Sequence, residues 1–123
     1  MSHEFDFERL IVWQKSIDLA CSVFKLSREI KEEHGFFRYI EQLSSAALSI
    51  SSNIAEGKGR ESKKAYRLHL GYARGSLYEV LSILTVGFRQ DWIEPSQYSS
   101  LRDQSLEIIK MLNALRTSLL PNP

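Results

Sequence analysis

The sequence predicts an all-α protein, an antiparallel up-down-up-down four-helix bundle. Apolar residues recur with alternating steps of three and four in four separate segments, and this spacing places them on one face of a helix. No segment shows the strict alternation of apolar and polar residues that is typical of a half-buried strand. The breaks between the segments are short, and short connections make consecutive helices antiparallel neighbours.

The first helix is predicted near residues 7–32. Asp6 is a candidate N-cap, and Phe5 and Leu10 have the spacing of a hydrophobic staple. The first apolar stripe of this helix contains Leu10, Trp13, Ile17, Ala20 and Phe24. A second apolar stripe contains Val12, Leu19, Val23, Leu26 and Ile30. The second stripe indicates either a wide core-facing surface or an interface with another subunit.

The second helix is predicted near residues 36–56, and Gly35 separates it from the first. Its apolar stripe contains Phe36, Ile40, Leu43, Ala47, Ile50 and Ile54. Gly57 and Gly59 follow the last residue of the stripe. Because glycine adopts a left-handed conformation without steric cost, we expect these two residues to form a left-handed helix end.

The third and fourth helices are predicted near residues 62–90 and 95–119, with Ser62 as a cap and Pro95 in the first turn. Their stripes contain Tyr66, Leu70, Ala73, Leu77, Val80 and Leu84, and then Tyr98, Leu101, Ser105, Ile108, Leu112, Leu115 and Leu119. Gly71 and Gly75 lie in mid-helix, where each glycine costs ~1 kcal/mol relative to alanine. We therefore expect a helix of the same or a neighbouring subunit to pack closely against them.

The composition is that of one globular domain, residues 1–123. Hydrophobic residues make up 43% of the chain, which is enough to form a core. The 16 basic and 15 acidic residues leave a net charge of +1, which argues against attraction of the whole molecule to nucleic acid or membrane. A single cysteine, an N-terminus without a basic leader and the absence of a long apolar run predict a cytoplasmic protein without a membrane partner.

Charge is nevertheless concentrated in residues 58–74. This segment contains one acidic residue, Glu61, against six basic ones, which gives a local net charge of +5. The basic residues are Lys58, Arg60, Lys63, Lys64, Arg67 and Arg74. One interpretation is a nucleic-acid-binding surface, since cations around a helix N-terminus can hold phosphates. The other is a solvated face whose charges pair with acidic residues of the first helix.

Catalysis has little support in the sequence. His3, His34 and His69 lack the spacing of metal ligands, and no inward-facing Glu-x-x-His pair of a di-iron bundle occurs. The apolar neighbours of Cys21 predict a buried, inert thiol. Glu56 could be an acid or base, but pairing with Arg60 is the stronger interpretation. We expect no enzyme activity, no cofactor and no metal.

Four segments give the chain a family resemblance: LIVWQK at 10–15, AALSI at 46–50, SNIAEGKGR at 52–60 and ARGSL at 73–77. They resemble the bacterial four-helix-bundle family encoded by intervening sequences in 23S ribosomal RNA genes, which also includes the accessory variability determinants of diversity-generating retroelements. The resemblance covers roughly residues 5–120. Its most specific part is the Asn-Ile-Ala-Glu-Gly-x-Gly-Arg motif, with Asn53, Glu56, Gly57 and Gly59 as its structural residues.

The resemblance implies an antiparallel four-helix bundle that assembles as a ring-shaped homopentamer. For the retroelement branch it implies binding to nucleic acid and to a reverse transcriptase. The chain departs from many members of the family in having Ser44 and Ser45 where they have two arginines. Two hypotheses for function follow: a nucleic-acid-binding accessory protein for structured RNA or DNA, and an oligomeric scaffold for a protein partner.

Overall fold

The computed structural model describes residues 4–122 as four long helices preceded by one short turn. A 3-10 turn at Asp6–Arg9 leads into α1 (Ile11–His34), and α2 (Phe37–Lys58) follows after two residues. α3 spans Lys63–Arg89 and α4 spans Pro95–Ser118. No residue between 4 and 122 lies in a β-strand. The prediction of an all-α protein with four helices is therefore confirmed.

The helices form a bundle in which each one contacts two others. α1 and α3 both contact α2 and α4, and they lie diagonally across from each other. Gln97, near the start of α4, donates to the Glu29 carboxylate near the end of α1 at 2.8 Å. Arg74 of α3 donates to Asn113 of α4 at 2.9 Å. One end of the bundle, here called the turn end, thus holds the α2–α3 turn, the start of α1 and the end of α4.

The core takes one apolar stripe from each helix. The predicted stripes of α2, α3 and α4 are buried at most of their positions, and the fully buried large residues are Leu19, Val23, Ile30, Leu43, Ile50, Ile54, Leu70, Leu77, Val80, Leu84, Ile108 and Leu112. The polar break at Ser105 is also buried, and its hydroxyl donates to the Leu101 carbonyl at 2.7 Å. This bond satisfies the hydroxyl within its own helix.

The second stripe of α1 is the one that faces the core. All five of its residues are at most 4% exposed, whereas Leu10, Trp13, Ile17 and Phe24 of the first stripe are only partly buried. The structure therefore matches the wide core-facing surface, and the interface interpretation of the second stripe is wrong. Two overlapping apolar stripes indicate that α1 has a broad apolar face. Packing against α2 and α4 decides which of the two stripes is fully buried.

The predicted caps of α3 and α4 are present, and that of α1 is not. The Ser62 hydroxyl accepts from the Ala65 amide at 3.1 Å, and Pro95 is the first residue of α4. Asp6 is not an N-cap, because it is the first residue of the 3-10 turn. The Glu8 carboxylate accepts the Phe5 amide at 2.9 Å and stabilises this turn. α1 begins only after this turn, so the predicted staple and the start near residue 7 are also wrong.

The glycines of the α2–α3 turn are not left-handed. Gly57 lies inside α2, and Gly59 has a φ of −80°; Gly35 is the glycine with positive φ, 87°, among residues 4–122. Gly57 is instead required by close packing, because a Cβ there would lie 2.8 Å from the Cβ of His69 on α3. Among residues 4–122, no helix backbone lies close to Gly71 or Gly75. A Cβ at Gly71 would meet the Arg116 guanidinium at 3.5 Å, and nothing lies within 4 Å of one at Gly75.

Candidate nucleic-acid interface

The six predicted basic residues lie along the turn end and the first turns of α3. Lys58 is the last residue of α2, Arg60 lies in the turn, and the other four are on α3. The fold adds Arg116, which the end of α4 brings against Arg67. These seven cations, here called the basic surface, are Lys58, Arg60, Lys63, Lys64, Arg67, Arg74 and Arg116.

The cations at the turn differ in their partners. Arg60 pairs with Glu56 at 2.9 Å, one helical turn away, and both side chains are about half exposed. The Lys58 ammonium lies 5.7 Å from the centre of the Tyr66 ring, which is the distance of a cation–π contact. Lys63 and Lys64 are exposed, and neither forms an ion pair with any residue from 4 to 122.

Acidic residues of the first helix do not neutralise this surface. α1 does not contact α3, and none of its carboxylates forms an ion pair with a cation of the basic surface among residues 4–122. Among residues 4–122, the one ion pair between α1 and another helix joins Lys15 to Glu107 of α4 at 3.0 Å. The interpretation of the basic cluster as a face paired with helix-one acids therefore has no contact in the structure to support it.

Three arginines meet where the start of α3 packs against the end of α4. The Arg67 side chain donates to the Arg116 carbonyl at 3.3 Å, and the Arg116 side chain donates to the Arg67 carbonyl at 3.5 Å. Arg74 is held by Asn113, a neutral acceptor. Burial, followed by the positive charges of Arg74 and Arg67, lowers the pKa of the Arg116 guanidinium from its ordinary value. Like charges are thus held together, and an anion bound there would relieve their repulsion.

An open cleft of about 700 Å³ lies beside these arginines, between the start of α3 and the chain that leaves α4. Lys63, Lys64, Arg67 and Arg116 contribute to its lining, and no carboxylate of residues 4–122 does. The remaining lining residues are Ser62, Ala65, Leu68, Leu119, Leu120 and Pro121. The basic surface therefore borders an apolar hollow.

The motif residues join α2 to α3. The Asn53 amide donates to the Ser49 carbonyl at 2.9 Å, and its oxygen lies 3.3 Å from Nδ1 of His69. Ser76 of α3 donates to the Ser49 hydroxyl at 2.8 Å. Glu56 pairs with Arg60 and lies 3.8 Å from the same His69 nitrogen. This arrangement positions two helices, with Gly57 allowing their close approach.

The structure places the remaining chemical candidates apart from one another. Cys21 is exposed, contrary to the expected burial, because its helical neighbours at three and four residues include Asp18 and Lys25. His34 stacks against Phe36 at 5.5 Å, and His3 lies outside the described residues. No cluster of three potential metal-ligating residues occurs within residues 4–122. In that same part of the chain, no helix has the length and apolar character needed to cross a membrane.

Arg116 could not be assigned to the basic surface from local sequence, because it lies 42 positions from Arg74, outside the basic segment. A signal for it exists in the predicted topology. In an up-down bundle the end of α4 must lie beside the start of α3, so a cation in the last turn of α4 joins those of α3.

A model of the 23S rRNA-intervening sequence protein family matches residues 8–114. The chain belongs to this family. A crystal structure of a protein with unknown function from the S23 ribosomal protein family, from Bacteroides thetaiotaomicron VPI-5482, resembles the bundle with a TM-score of 0.83. The two chains are 26% identical, and the match covers 86% of this chain and 98% of that one. No curated protein matches the sequence.

Proposed function

We propose that this member of the 23S rRNA-intervening sequence protein family is a non-enzymatic accessory protein that binds structured RNA or DNA through its basic surface. The observation that carries the proposal is a set of cations without carboxylate partners among residues 4–122. Lys63 and Lys64 are exposed, and Arg67 and Arg116 share a site with each other. Such cations gain most from phosphates, whose condensed counterions they release on binding.

The position of the cluster also favours an anionic ligand. Lys63 and Lys64 are the first two residues of α3, where cationic side chains oppose the positive end of the helix dipole. The first backbone amides of a helix have no carbonyl partner within it, and at α3 the Ser62 hydroxyl accepts only from that of Ala65. A phosphate near them would interact favourably with both the side-chain charges and the helix terminus.

We also propose that the protein assembles as a ring-shaped homopentamer, so that the basic surface recurs around the ring and its field is strengthened. The sequence resemblance supports this assembly. It also supports kinship with the accessory determinants of retroelements, with a reverse transcriptase as a protein partner. Several large apolar side chains on the outside of the bundle are about half exposed, and these are Leu48, Leu68, Tyr72, Tyr78 and Val86. An assembly would remove part of that surface from water.

The second candidate function is an oligomeric scaffold that binds a protein and no nucleic acid. The same exposed apolar residues favour it, since they suit a protein partner better than a phosphate backbone. The net charge of +1 also favours it, because electrostatic attraction of the whole molecule to nucleic acid is weak.

Charge reversal separates the two functions. Fluorescence anisotropy with a labelled RNA hairpin at low salt should detect binding of the wild type. Lys63→Glu combined with Lys64→Glu should abolish most of that binding and leave the helical circular dichroism unchanged, because both side chains are exposed. The matched control is Lys25→Glu with Arg28→Glu, an equal charge change on exposed residues of α1. The scaffold function is favoured if the wild type does not bind. If both variants bind as tightly as the wild type, Lys63 and Lys64 do not contact the RNA and the proposed basic surface is wrong.

A further inference from the structure

The cleft at the turn end combines features that call for a particular occupant. Leu68 and Leu120 are about half exposed, so apolar surface remains open to solvent in this hollow. Cations of α3 and α4 surround it, and no carboxylate of residues 4–122 lines it. The best partner is therefore a short segment with apolar side chains between carboxylates.

The protein itself carries such a segment just before α1. Residues 4–8 read Glu-Phe-Asp-Phe-Glu, with three carboxylates and two aromatic rings. Phe5 is 61% exposed and stacks on Phe7 with ring centres 5.9 Å apart. Glu4 and Asp6 are exposed as well, while the Glu8 carboxylate already accepts the Phe5 amide. A large aromatic side chain thus projects into solvent between two carboxylates that form no ion pair with any of residues 4–122.

The segment does not occupy the cleft of its own chain. The 3-10 turn contacts α1 and α2, whereas the cleft is formed by α3 and α4. Both features lie at the turn end but on opposite sides of it. The same segment of a second copy has the chemistry to fill the cleft.

We propose that the acidic aromatic segment of one copy docks into the basic cleft of a second copy. Phe5 enters the apolar hollow against Leu68 and Leu120. Glu4 and Asp6 meet the cations that line the cleft, among them Arg67 and Arg116. The contact removes exposed aromatic and aliphatic surface from water and gives the repelling arginines their missing counter-charges.

This contact is heterologous, because the two surfaces that meet are different. Each copy uses its segment on one side and its cleft on the other, so the contact repeats until a ring closes. The inference rests on the proposed homo-oligomer and names the surfaces that join its subunits. The cleft shares Lys63, Lys64, Arg67 and Arg116 with the basic surface, whereas Lys58, Arg60 and Arg74 lie outside its lining. The two proposals therefore share four cations, and the outcomes of the test below distinguish them.

Two complementary variants test the proposal. The segment variant carries Phe5→Ser and Asp6→Lys, and the cleft variant carries Leu68→Asp and Leu120→Asp. All four positions are exposed, so both variants should keep the circular dichroism of the wild type. In sedimentation, the wild type should be oligomeric and each variant alone should be a monomer of about 14.2 kDa. An equimolar mixture should form a species of twice that mass and no larger one, since one intact segment and one intact cleft remain.

A labelled peptide of residues 1–10 gives a second readout. It should bind the segment variant, whose cleft is free, and bind the cleft variant at least about tenfold more weakly. Four results would overturn the proposal: a monomeric wild type, assembly that persists in either variant, a mixture that stays monomeric, or equal peptide binding to both variants. A cleft variant that loses RNA binding but assembles normally would assign the cleft to nucleic acid instead. If the wild type is oligomeric and the segment variant or the cleft variant assembles as the wild type does, the inferred contact is wrong and the proposed assembly still stands.

Discussion

Gly57→Ala is predicted to destabilise the protein because α3 leaves no room for a methyl group. The added Cβ would lie 2.8 Å from the Cβ of His69, 3.1 Å from Cδ1 of Tyr66 and 3.2 Å from the Tyr66 carbonyl oxygen. Carbon atoms in favourable contact are about 3.5–4.0 Å apart. The two helices must therefore separate by roughly 1 Å at a point where the Tyr66 backbone is itself one of the obstacles.

The magnitude follows from two opposing effects. Overpacking of this kind costs about 1–3 kcal/mol. Alanine recovers at most about 1 kcal/mol through its higher helix propensity, and less in the last turn of α2. We expect a net loss of about 1–2 kcal/mol, which lowers the melting temperature by roughly 4–8 °C in a chain of this size.

Gly75→Ala is the matched control. Gly75 lies in the middle of α3, and no atom of residues 4–122 lies within 4 Å of a methyl group added there. The helix-propensity gain of about 1 kcal/mol is therefore unopposed. Thermal and urea unfolding of both variants at equal protein concentration provide the assay. If Gly57→Ala is as stable as the wild type, the two helices tolerate the methyl group and the close-packing argument is wrong.

Two tyrosines give further predictions. Tyr39 donates to the Ile83 carbonyl at 2.6 Å, so Tyr39→Phe should cost about 1 kcal/mol in urea unfolding. Burial raises the pKa of Tyr39 from 10.0 to about 12. Because the folded protein holds this proton more tightly than the unfolded chain, the stability that it contributes is complete below pH 10 and is lost as the pH rises to 12. The free energy of unfolding should therefore fall more steeply over this range in the wild type than in Tyr39→Phe. The Tyr66 hydroxyl is buried without a hydrogen-bond partner among residues 4–122, so Tyr66→Phe should leave stability unchanged or raise it by about 1 kcal/mol. A loss of stability in Tyr66→Phe, or identical alkaline profiles for the wild type and Tyr39→Phe, would contradict these assignments.

The helices could be predicted because apolar spacing reports directly on a buried helix face. The predicted ends of α2, α3 and α4 lie within about two residues of those in the structure, since Gly35, Ser62 and Pro95 act locally. The core-facing stripe of α1 could not be predicted, because two apolar stripes overlap on this helix. Which stripe is central depends on the positions of α2 and α4, and the periodicity of α1 contains no information about them.

The candidate site was predictable only as far as it is local. The excess of positive charge in residues 58–74 can be read directly from the sequence. Arg116 joins these cations only because α4 packs against α3. The glycine motif shows a similar limit. A glycine can serve a left-handed conformation or a close approach, and only the position of His69 shows that Gly57 serves the second. Cys21 was misplaced because adjacent residues in sequence do not share a helix face.

The salt dependence of RNA binding tests the central claim most directly. Each cation that contacts a phosphate contributes about 0.7–0.9 to the slope of log K against log salt concentration. Neutralising both lysines, with Lys63→Gln and Lys64→Gln, should therefore reduce the slope of the wild type by about 1.4–1.8, with uniformly weaker binding across RNA sequences. Lys25→Gln with Arg28→Gln on α1 should leave the slope unchanged. No binding of the wild type at low salt, or a slope that the Lys63 and Lys64 changes do not alter, would contradict the account.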